Sequence, residues 1–146
     1  LCQSTITGAD GNIYGVPWMA NTVLMLNPTT GVVSDFLTHG KGDQAYLGGT
    51  AAPNGNIYMA PYDADEILEI DPLAGTSSFL TLPTNTYSAG PDQPNIAGGF
   101  AGAVSDTANV YLVPRSAGNT VVIPLNATGG TNSKAYTLSP YVNSGL

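Results

Sequence analysis

Apolar residues in this chain fall in short stretches with a period of two, the spacing typical of β-strands. In residues 57–62, Ile-Tyr-Met-Ala-Pro-Tyr, successive side chains point to opposite faces of the predicted strand, yet both alternating sets are largely apolar. A strand with one face in water would instead alternate apolar with polar residues. The pattern therefore predicts a strand that is covered on both faces, within a sheet packed between two neighbours.

The phrase that contains this strand occurs three times along the chain. Gly-Asn-Ile-Tyr-Gly-Val-Pro-Trp occupies residues 11–18, Gly-Asn-Ile-Tyr-Met-Ala-Pro-Tyr residues 55–62, and Ala-Asn-Val-Tyr-Leu-Val-Pro-Arg residues 108–115. The asparagines of the three phrases, Asn12, Asn56 and Asn109, lie 44 and then 53 residues apart. Periods of about 20 to 50 residues are typical of proteins that stack or arrange radially one repeated unit.

Each repeat contains four stretches rich in β-branched and aromatic residues, and no helical pattern. The stretches cover residues 4–7, 11–18, 23–28 and 32–38 in the first repeat, 47–52, 55–62, 67–72 and 76–82 in the second, and 98–104, 108–115, 121–125 and 135–138 in the third. Four-stranded sheets repeated radially are the blades of a β-propeller. We therefore predict an all-β fold and a single repeat domain of three four-stranded antiparallel blades: blade 1 over about 1–46, blade 2 over about 47–97 and blade 3 over about 98–146.

Two motifs resemble those of known propeller repeats. Asp/Asn-Gly-Asn-Ile-Tyr stands at residues 10–14 and 54–58, and Ile-Leu-x-Ile-Asp-Pro-x-x-Gly follows at residues 67–75. Across nearly its whole length the chain resembles propeller blades of the NHL, Kelch-like and streptogramin-lyase-like groups. That resemblance implies an architecture and leaves the function open, because such propellers serve as enzymes, receptors and scaffolds alike.

Three blades are too few for a closed propeller, which typically has about four to eight. Two outer blade faces would remain uncovered, and exposed apolar faces of that size mark interaction surfaces. We therefore predict that the chain forms a homo-oligomer, either a closed ring of two three-bladed copies or an open filament of stacked blades. A third possibility is that these 146 residues are part of a longer repeat protein, since the chain begins at Leu1 without a methionine.

The charge balance excludes one class of partner and favours a location. Three basic residues, Lys41, Arg115 and Lys134, face ten acidic ones, and the net charge is -7, so binding to a nucleic-acid backbone has no electrostatic support. The charged fraction of 9% lies far below the roughly 25% of typical soluble domains, while Ser, Thr, Asn and Gly are abundant. We predict a secreted, extracellular protein without membrane insertion, since no stretch approaches the roughly 20 apolar residues of a membrane span.

Two residues are candidates for covalent modification. Cys2 is the only cysteine, so it either forms an intermolecular disulfide or serves as an inert, buried apolar residue, and the sequence favours neither. Asn126-Ala127-Thr128 matches the acceptor pattern for N-glycosylation, which predicts a glycan at Asn126 in a secreted eukaryotic product.

No catalytic, cofactor or metal site is recognisable. The single histidine, His39, lies in a Gly/Lys/Asp-rich loop that predicts a solvated turn. An acidic cluster in the second repeat is of the kind that can bind calcium, but the first repeat lacks it, so a solvated acidic turn is the better interpretation. The cluster comprises Asp63, Asp65, Glu66 and Glu69. The resemblance to lyases implies histidine and acidic residues at a propeller mouth, and this chain has no recognisable version of that set, so we predict a non-enzyme.

One set of residues is a candidate ligand-binding site. Trp18, Tyr62 and Arg115 directly follow the proline of the repeated phrase, which predicts that they lie at equivalent ends of three strands. Aromatic rings and a guanidinium in that arrangement can stack on sugars or on a partner's side chains, although packing between blades is the favoured alternative. The tyrosines of the phrase, Tyr14, Tyr58 and Tyr111, are predicted to be core residues. The polar, proline-rich residues 83–94 predict a loop suited to binding.

Three functional hypotheses follow. The first is a secreted structural or interaction protein that self-associates through open blade faces and can carry glycans. The second is a carbohydrate-binding or ligand-binding propeller that uses Trp18, Tyr62, Arg115 and the loop at residues 83–94. The third is a fragment of a propeller lyase or hydrolase whose remaining site residues lie on blades absent from this chain.

Overall fold

The computed structural model describes residues 1–82 and 99–125 and the short strand Tyr136–Thr137. Within these residues there is no helix, and twelve strands form three four-stranded antiparallel sheets in which consecutive strands are neighbours. Blade 1 has strands β1 to β4, Cys2–Thr7, Ile13–Pro17, Thr22–Leu26 and Val33–Thr38; blade 2 has β5 to β8, Tyr46–Ala51, Ile57–Pro61, Glu66–Asp71 and Thr76–Thr81; blade 3 has β9 to β12, Phe100–Ser105, Asn109–Pro114, Val121–Pro124 and Tyr136–Thr137. The predicted all-β class and the three four-stranded blades are confirmed.

The core lies between the blades, in two layers. On one face of β6, Ile57 and Met59 belong to a buried cluster with Tyr14 and Val16 of blade 1. On the other face, Tyr58 and Ala60 belong to a second cluster with residues of β9, β10 and β11 of blade 3. All five residues of β6 are buried, as the doubly apolar pattern predicts.

The first strand of each blade, β1, β5 or β9, is its inner strand. These inner strands lie against one another, β1 against β5 and β5 against β9. Glycines make this approach possible. A Cβ on Gly48 would lie 3.1 Å from the Cα of Gly102, and a Cβ on Gly49 would lie 2.4 Å from the carbonyl oxygen of Tyr58 and 2.8 Å from Cδ1 of Ile6. The Gly-Gly pair of the second repeat is therefore required by the spacing between strands, at a point where no side chain fits.

A polar turn precedes the central strand of every blade. Asp10 Oδ1 accepts the backbone N–H of Asn12 at 3.1 Å, and Asp106 Oδ1 accepts that of Asn109 at 2.7 Å. The tyrosine two residues after each asparagine binds the same turn: Tyr14 donates to Asp10 Oδ2 at 2.9 Å, Tyr111 donates to Asp106 Oδ2 at 2.7 Å, and Tyr58 accepts from Asn54 Nδ2 at 2.9 Å. The repeated phrase thus encodes a side-chain-stabilised turn closed by a phenol, and the tyrosines do more than fill space.

The prediction that Tyr111 is a core residue is wrong. Tyr14 and Tyr58 are buried, whereas Tyr111 is only half-buried. It shares its face of blade 3 with Val104 and Val113, which are 53% and 44% exposed. The equivalent faces of blades 1 and 2 are each covered by the next blade, and the described residues include no blade beyond the third.

One carboxylate is buried among the apolar residues of blade 2. Glu69 is 7% exposed, and its Oε1 accepts a hydrogen bond from Asn56 Nδ2 at 2.7 Å. Its Oε2 has no hydrogen-bond partner among the described residues. Burial raises the pKa of Glu69 and the charge of Asp71 adds to the rise, while the Asn56 hydrogen bond opposes it.

We expect Gly49→Ala to lower the free energy of unfolding by about 1–3 kcal/mol, because the added methyl forces the inner strand away from β6 and from Ile6. Urea unfolding followed by circular dichroism measures the change. Gly102→Ala is the matched control, since a Cβ there meets nothing within 4 Å. Equal stability of the two variants would contradict the packing argument.

We expect Glu69→Gln to remove a pH-dependent loss of stability. The pKa of Glu69 is higher in the folded than in the unfolded chain, so the native carboxyl favours folding below the unfolded value and this contribution is lost as the pH rises through the folded value. Thermal unfolding of wild type and Glu69→Gln should therefore diverge as the pH rises from 4 to 7, with the variant losing less. Parallel pH profiles would show that Glu69 does not titrate in this way.

Candidate functional site

The predicted ligand-binding residues lie at one end of the three central strands. Each follows the last residue of its strand, Pro17 of β2, Pro61 of β6 and Pro114 of β10. The backbone N–H of Trp18 donates to the Leu1 carbonyl at 3.1 Å, that of Tyr62 to Ala45 at 2.8 Å, and that of Arg115 to Gly99 at 3.0 Å. The same hydrogen bond to the residue before the inner strand therefore fixes all three positions.

The three side chains form a continuous row across the blades, the Trp-Tyr-Arg row. The rings of Trp18 and Tyr62 meet edge to face, with centroids 4.7 Å apart and planes at 64°. The Arg115 guanidinium carbon lies 5.1 Å from the Tyr62 ring centroid, and Nη1 donates to the Tyr62 hydroxyl. Trp18 and Tyr62 are half-buried and Arg115 is exposed, so the row packs between blades and also faces solvent. Ligand binding by this row stays a prediction.

A groove of about 430 Å³ lies next to the row on the outer face of blade 3. It is lined by Val113, Pro114, Arg115, Ala117 and Thr120. No sequence pattern predicts this groove directly, because its shape depends on which residues lie opposite it in space. The alignment of the three repeats nevertheless assigns each lining residue a counterpart in blades 1 and 2.

A second groove, of about 230 Å³, lies on the outer face of blade 1. Its lining is Cys2, Thr5, Ile13, Gly15, Leu24, Leu26 and Val33. Cys2 carries a free thiol and is half-buried there, beside Gly15. The intermolecular disulfide at Cys2 stays a prediction.

His39 is a structural residue, and its prediction as part of a solvated turn is wrong. It is 5% exposed, and its ring meets the Tyr46 ring edge-on with centroids 5.7 Å apart. Nδ1 accepts the backbone N–H of Lys41 at 3.1 Å, which leaves Nε2 to donate to the Ala20 carbonyl at 2.9 Å. Both ring nitrogens are thus used by the main chain, and the ring packs between blades 1 and 2.

The acidic cluster does not behave as one solvated turn. Lys41 Nζ binds Asp65 Oδ1 at 2.8 Å and Glu66 Oε2 at 2.6 Å, and it lies 4.8 Å from the Phe79 ring centroid. The hydrogen bond from Lys41 lowers the pKa of Asp65. Glu69 is buried in the core instead. Lys41 follows the last strand of blade 1 and therefore links that blade to Asp65 and Glu66 of the cluster. Among residues 1–82 and 99–125, no group of three or more His, Cys, Asp and Glu side chains is arranged to hold a metal ion.

Two predicted features fall outside the described residues, the glycosylation site at Asn126 and the loop at residues 83–94. Nothing in the described part of the chain is a helix of the length and apolarity needed to cross a bilayer.

No protein-family model matches the chain, and neither does any curated protein. Solved structures do resemble it. Virginiamycin B lyase from Staphylococcus aureus, solved with quinupristin, superposes with a TM-score of 0.69 at 13% identity, over 96% of this chain and 41% of the lyase. The extracellular domain of a putative hybrid two-component system from B. thetaiotaomicron gives a TM-score of 0.71 at 9% identity, over 96% of this chain and 16% of that one.

An auxiliary nutrient binding protein from Bacteroides ovatus is similar with a TM-score of 0.66 at 15% identity, over 94% of this chain and 32% of its own. This chain therefore spans less than half the length of these solved structures. At such low identity the likeness concerns the fold alone. Together with the three repeated four-stranded sheets, it shows that the chain is a partial β-propeller of three blades.

Proposed function

We propose that this protein is an interaction module that binds further propeller blades through its two uncovered outer faces. Copies of the chain itself can supply those blades, closing a ring or extending a filament. The observation that carries the proposal is that each outer face has apolar residues at positions equivalent to those of a face that is buried inside the same chain.

The outer face of blade 1 corresponds to the face of blade 2 that packs on blade 1. Ile13 pairs with Leu26 as Ile57 pairs with Ile70, and Leu24 stands where blade 2 has Leu68. Ile57, Leu68 and Ile70 are fully buried, whereas their counterparts Ile13, Leu24 and Leu26 are half-buried and line a groove. These apolar residues are the same in kind, and no described residue supplies the blade that would cover them.

The outer face of blade 3 corresponds to the faces of blades 1 and 2 that are covered by the next blade. Tyr111 and Val113 occupy the places of the buried Tyr14 and Val16. Burying such side chains contributes about 25 cal/mol for each Å² removed from water, which favours association of the two outer faces. In a head-to-tail contact, the blade 1 face of one copy meets the blade 3 face of the next, and the contact repeats until it closes or propagates.

The composition supports a secreted location for this module. Its low charged fraction and abundance of small polar residues suit an extracellular surface, which glycans at Asn126 would complement. Two of the structural neighbours are by name an extracellular domain and a nutrient binding protein.

Self-association is tested by sedimentation equilibrium over a range of concentrations in the presence of a reducing agent. We expect a mass that rises with concentration well above the 14.9 kDa of one chain. Leu24→Glu and Val113→Glu should each return the protein to a monomer, because each places a charge on an outer face. Leu73→Glu is the control, since Leu73 is 73% exposed in a turn away from both faces. A wild-type monomer at all concentrations would exclude self-association.

A second candidate function, carbohydrate or ligand binding, is favoured by the Trp-Tyr-Arg row. The row combines two partly exposed rings with a guanidinium and adjoins the groove on blade 3. Aromatic faces and charged donors of this kind bind sugar rings and also planar groups. No observation on the described residues favours an enzyme fragment, and we do not propose one.

Glycan-array binding tests this second candidate. We expect any glycan signal to fall at least about fivefold in Trp18→Ala, since stacking on one ring is worth about 1 kcal/mol or more. Met19→Ala, at the exposed neighbouring residue, should leave the signal unchanged. A signal that survives Trp18→Ala, or that is absent from wild type, would contradict binding at the row.

A further inference from the structure

We propose that the groove on the outer face of blade 3 is a socket for the aromatic ring that begins the inner strand of the next blade. The cognate partner is therefore a propeller blade with Phe or Tyr at that position, rather than an arbitrary apolar surface. The inference rests on the proposed docking function and specifies its partner.

The socket has a counterpart in each of the other two blades. Its residues Val113, Pro114 and Ala117 correspond to Ala60, Pro61 and Ala64 in blade 2, and to Val16, Pro17 and Ala20 in blade 1. The fourth lining residue, Thr120 of blade 3, corresponds to Ile67 in blade 2 and to Val23 in blade 1. Val113 and Thr120 thus have counterparts on the same face of both other blades, whereas Ala117 and its counterpart Ala64 belong to the buried clusters on the opposite face of their sheets.

In both counterparts an aromatic ring from the next blade belongs to the same buried cluster as residues of that surface. Tyr46 of blade 2 belongs to the buried cluster that contains Val16 and Val23. Phe100 of blade 3 belongs to the cluster that contains Ala60 and Ile67. Each of these rings is fully buried, and each is the first residue of an inner strand, β5 or β9.

The sheet register shows that the two rings are equivalent. Tyr46 pairs with Pro61 of its own blade, and Phe100 pairs with Pro114. The residue that pairs in the same way in blade 1 is Cys2, opposite Pro17. In a head-to-tail contact between two copies, Cys2 is therefore the side chain that enters the socket of its neighbour.

Cys2 is a poor match for the socket. A phenyl ring buries about 150–250 Å² and is larger than the CH₂–SH side chain of Cys2, so a second copy leaves more of the groove of about 430 Å³ unfilled than an aromatic residue would. Unfilled space at an interface loses dispersion contacts and weakens association. A blade that begins with an aromatic residue occupies more of the socket and binds more tightly than a second copy does.

The socket recognises the ring and does not require a hydroxyl. The Tyr46 hydroxyl is buried and has no hydrogen-bond partner among the described residues, and the equivalent residue in the next interface is a phenylalanine. Phenylalanine should therefore serve at least as well as tyrosine as the inserted residue, because a buried hydroxyl without a hydrogen-bond partner costs free energy.

The experiment installs the missing ring in the chain itself. Self-association of wild type, Cys2→Phe, Cys2→Tyr and Cys2→Ala is measured by sedimentation equilibrium under reducing conditions. We expect both aromatic variants to associate at least about tenfold more tightly than wild type, and Cys2→Ala to associate no more tightly. Adding Thr120→Glu in the socket should abolish the gain, while adding Leu73→Glu should not.

The outcomes separate this inference from the proposed self-association. If wild type is monomeric but Cys2→Phe associates, the socket stands and self-association of the natural chain fails. If wild type associates and the aromatic variants gain nothing, self-association stands and the socket fails. Monomeric behaviour of all variants overturns both.

A second measurement covers the case in which a Cys2 variant does not fold. The probe is p-cresol, a free analogue of the tyrosine ring, titrated into the wild-type chain and followed by the methyl resonances in NMR spectra. We expect shifts at Val113 and Ala117 of the socket and none at Val33 and Leu26 of the blade 1 groove. Unchanged Val113 and Ala117 methyls, or equal shifts in both grooves, would overturn the proposal.

Discussion

Burial of both faces of each sheet is the constraint on which this structure depends. A four-stranded sheet of about 40 residues has too little mass to bury its own apolar surface, so each blade is stable only against a neighbour. The central blade meets the condition on both sides, and β6 is buried throughout. Among the described residues, the outer blades meet it on one side only, and this imbalance is the physical origin of the proposed docking function.

Two local devices hold the blades in this arrangement. Glycines let the inner strands approach where no side chain fits, and the Asx turn with its tyrosine hydroxyl fixes the start of each central strand. The main-chain hydrogen bonds at the other end of these strands then place Trp18, Tyr62 and Arg115 side by side. The candidate row is therefore a consequence of repeat symmetry, since equivalent residues in adjacent blades must become neighbours.

The differences between the repeats carry the specific information. Glu69 stands where the other blades have Met25 and Val122, and it introduces a buried carboxyl into blade 2. Cys2 stands where Tyr46 and Phe100 insert their rings. A repeat fixes the common interface, and a single departure from it changes which partner an outer face fits best.

The sequence by itself determined the class of the fold, the number of blades and the doubly covered central strand. These features follow from local periodicity and from spacing along the chain, and neither requires knowledge of distant contacts. It also placed Trp18, Tyr62 and Arg115 at equivalent positions, which the structure brings into contact.

Only the tertiary structure decided the environments of single side chains. His39 and Glu69 are buried and Tyr111 is half-exposed, because burial depends on which blade lies opposite and not on the residue's own neighbours in sequence. The groove on blade 3 likewise depends on tertiary structure, because at the equivalent places Tyr46 and Phe100 of the next blade join the buried clusters. Local pattern sets the shape of a strand, whereas the space beside it is set by residues from another repeat.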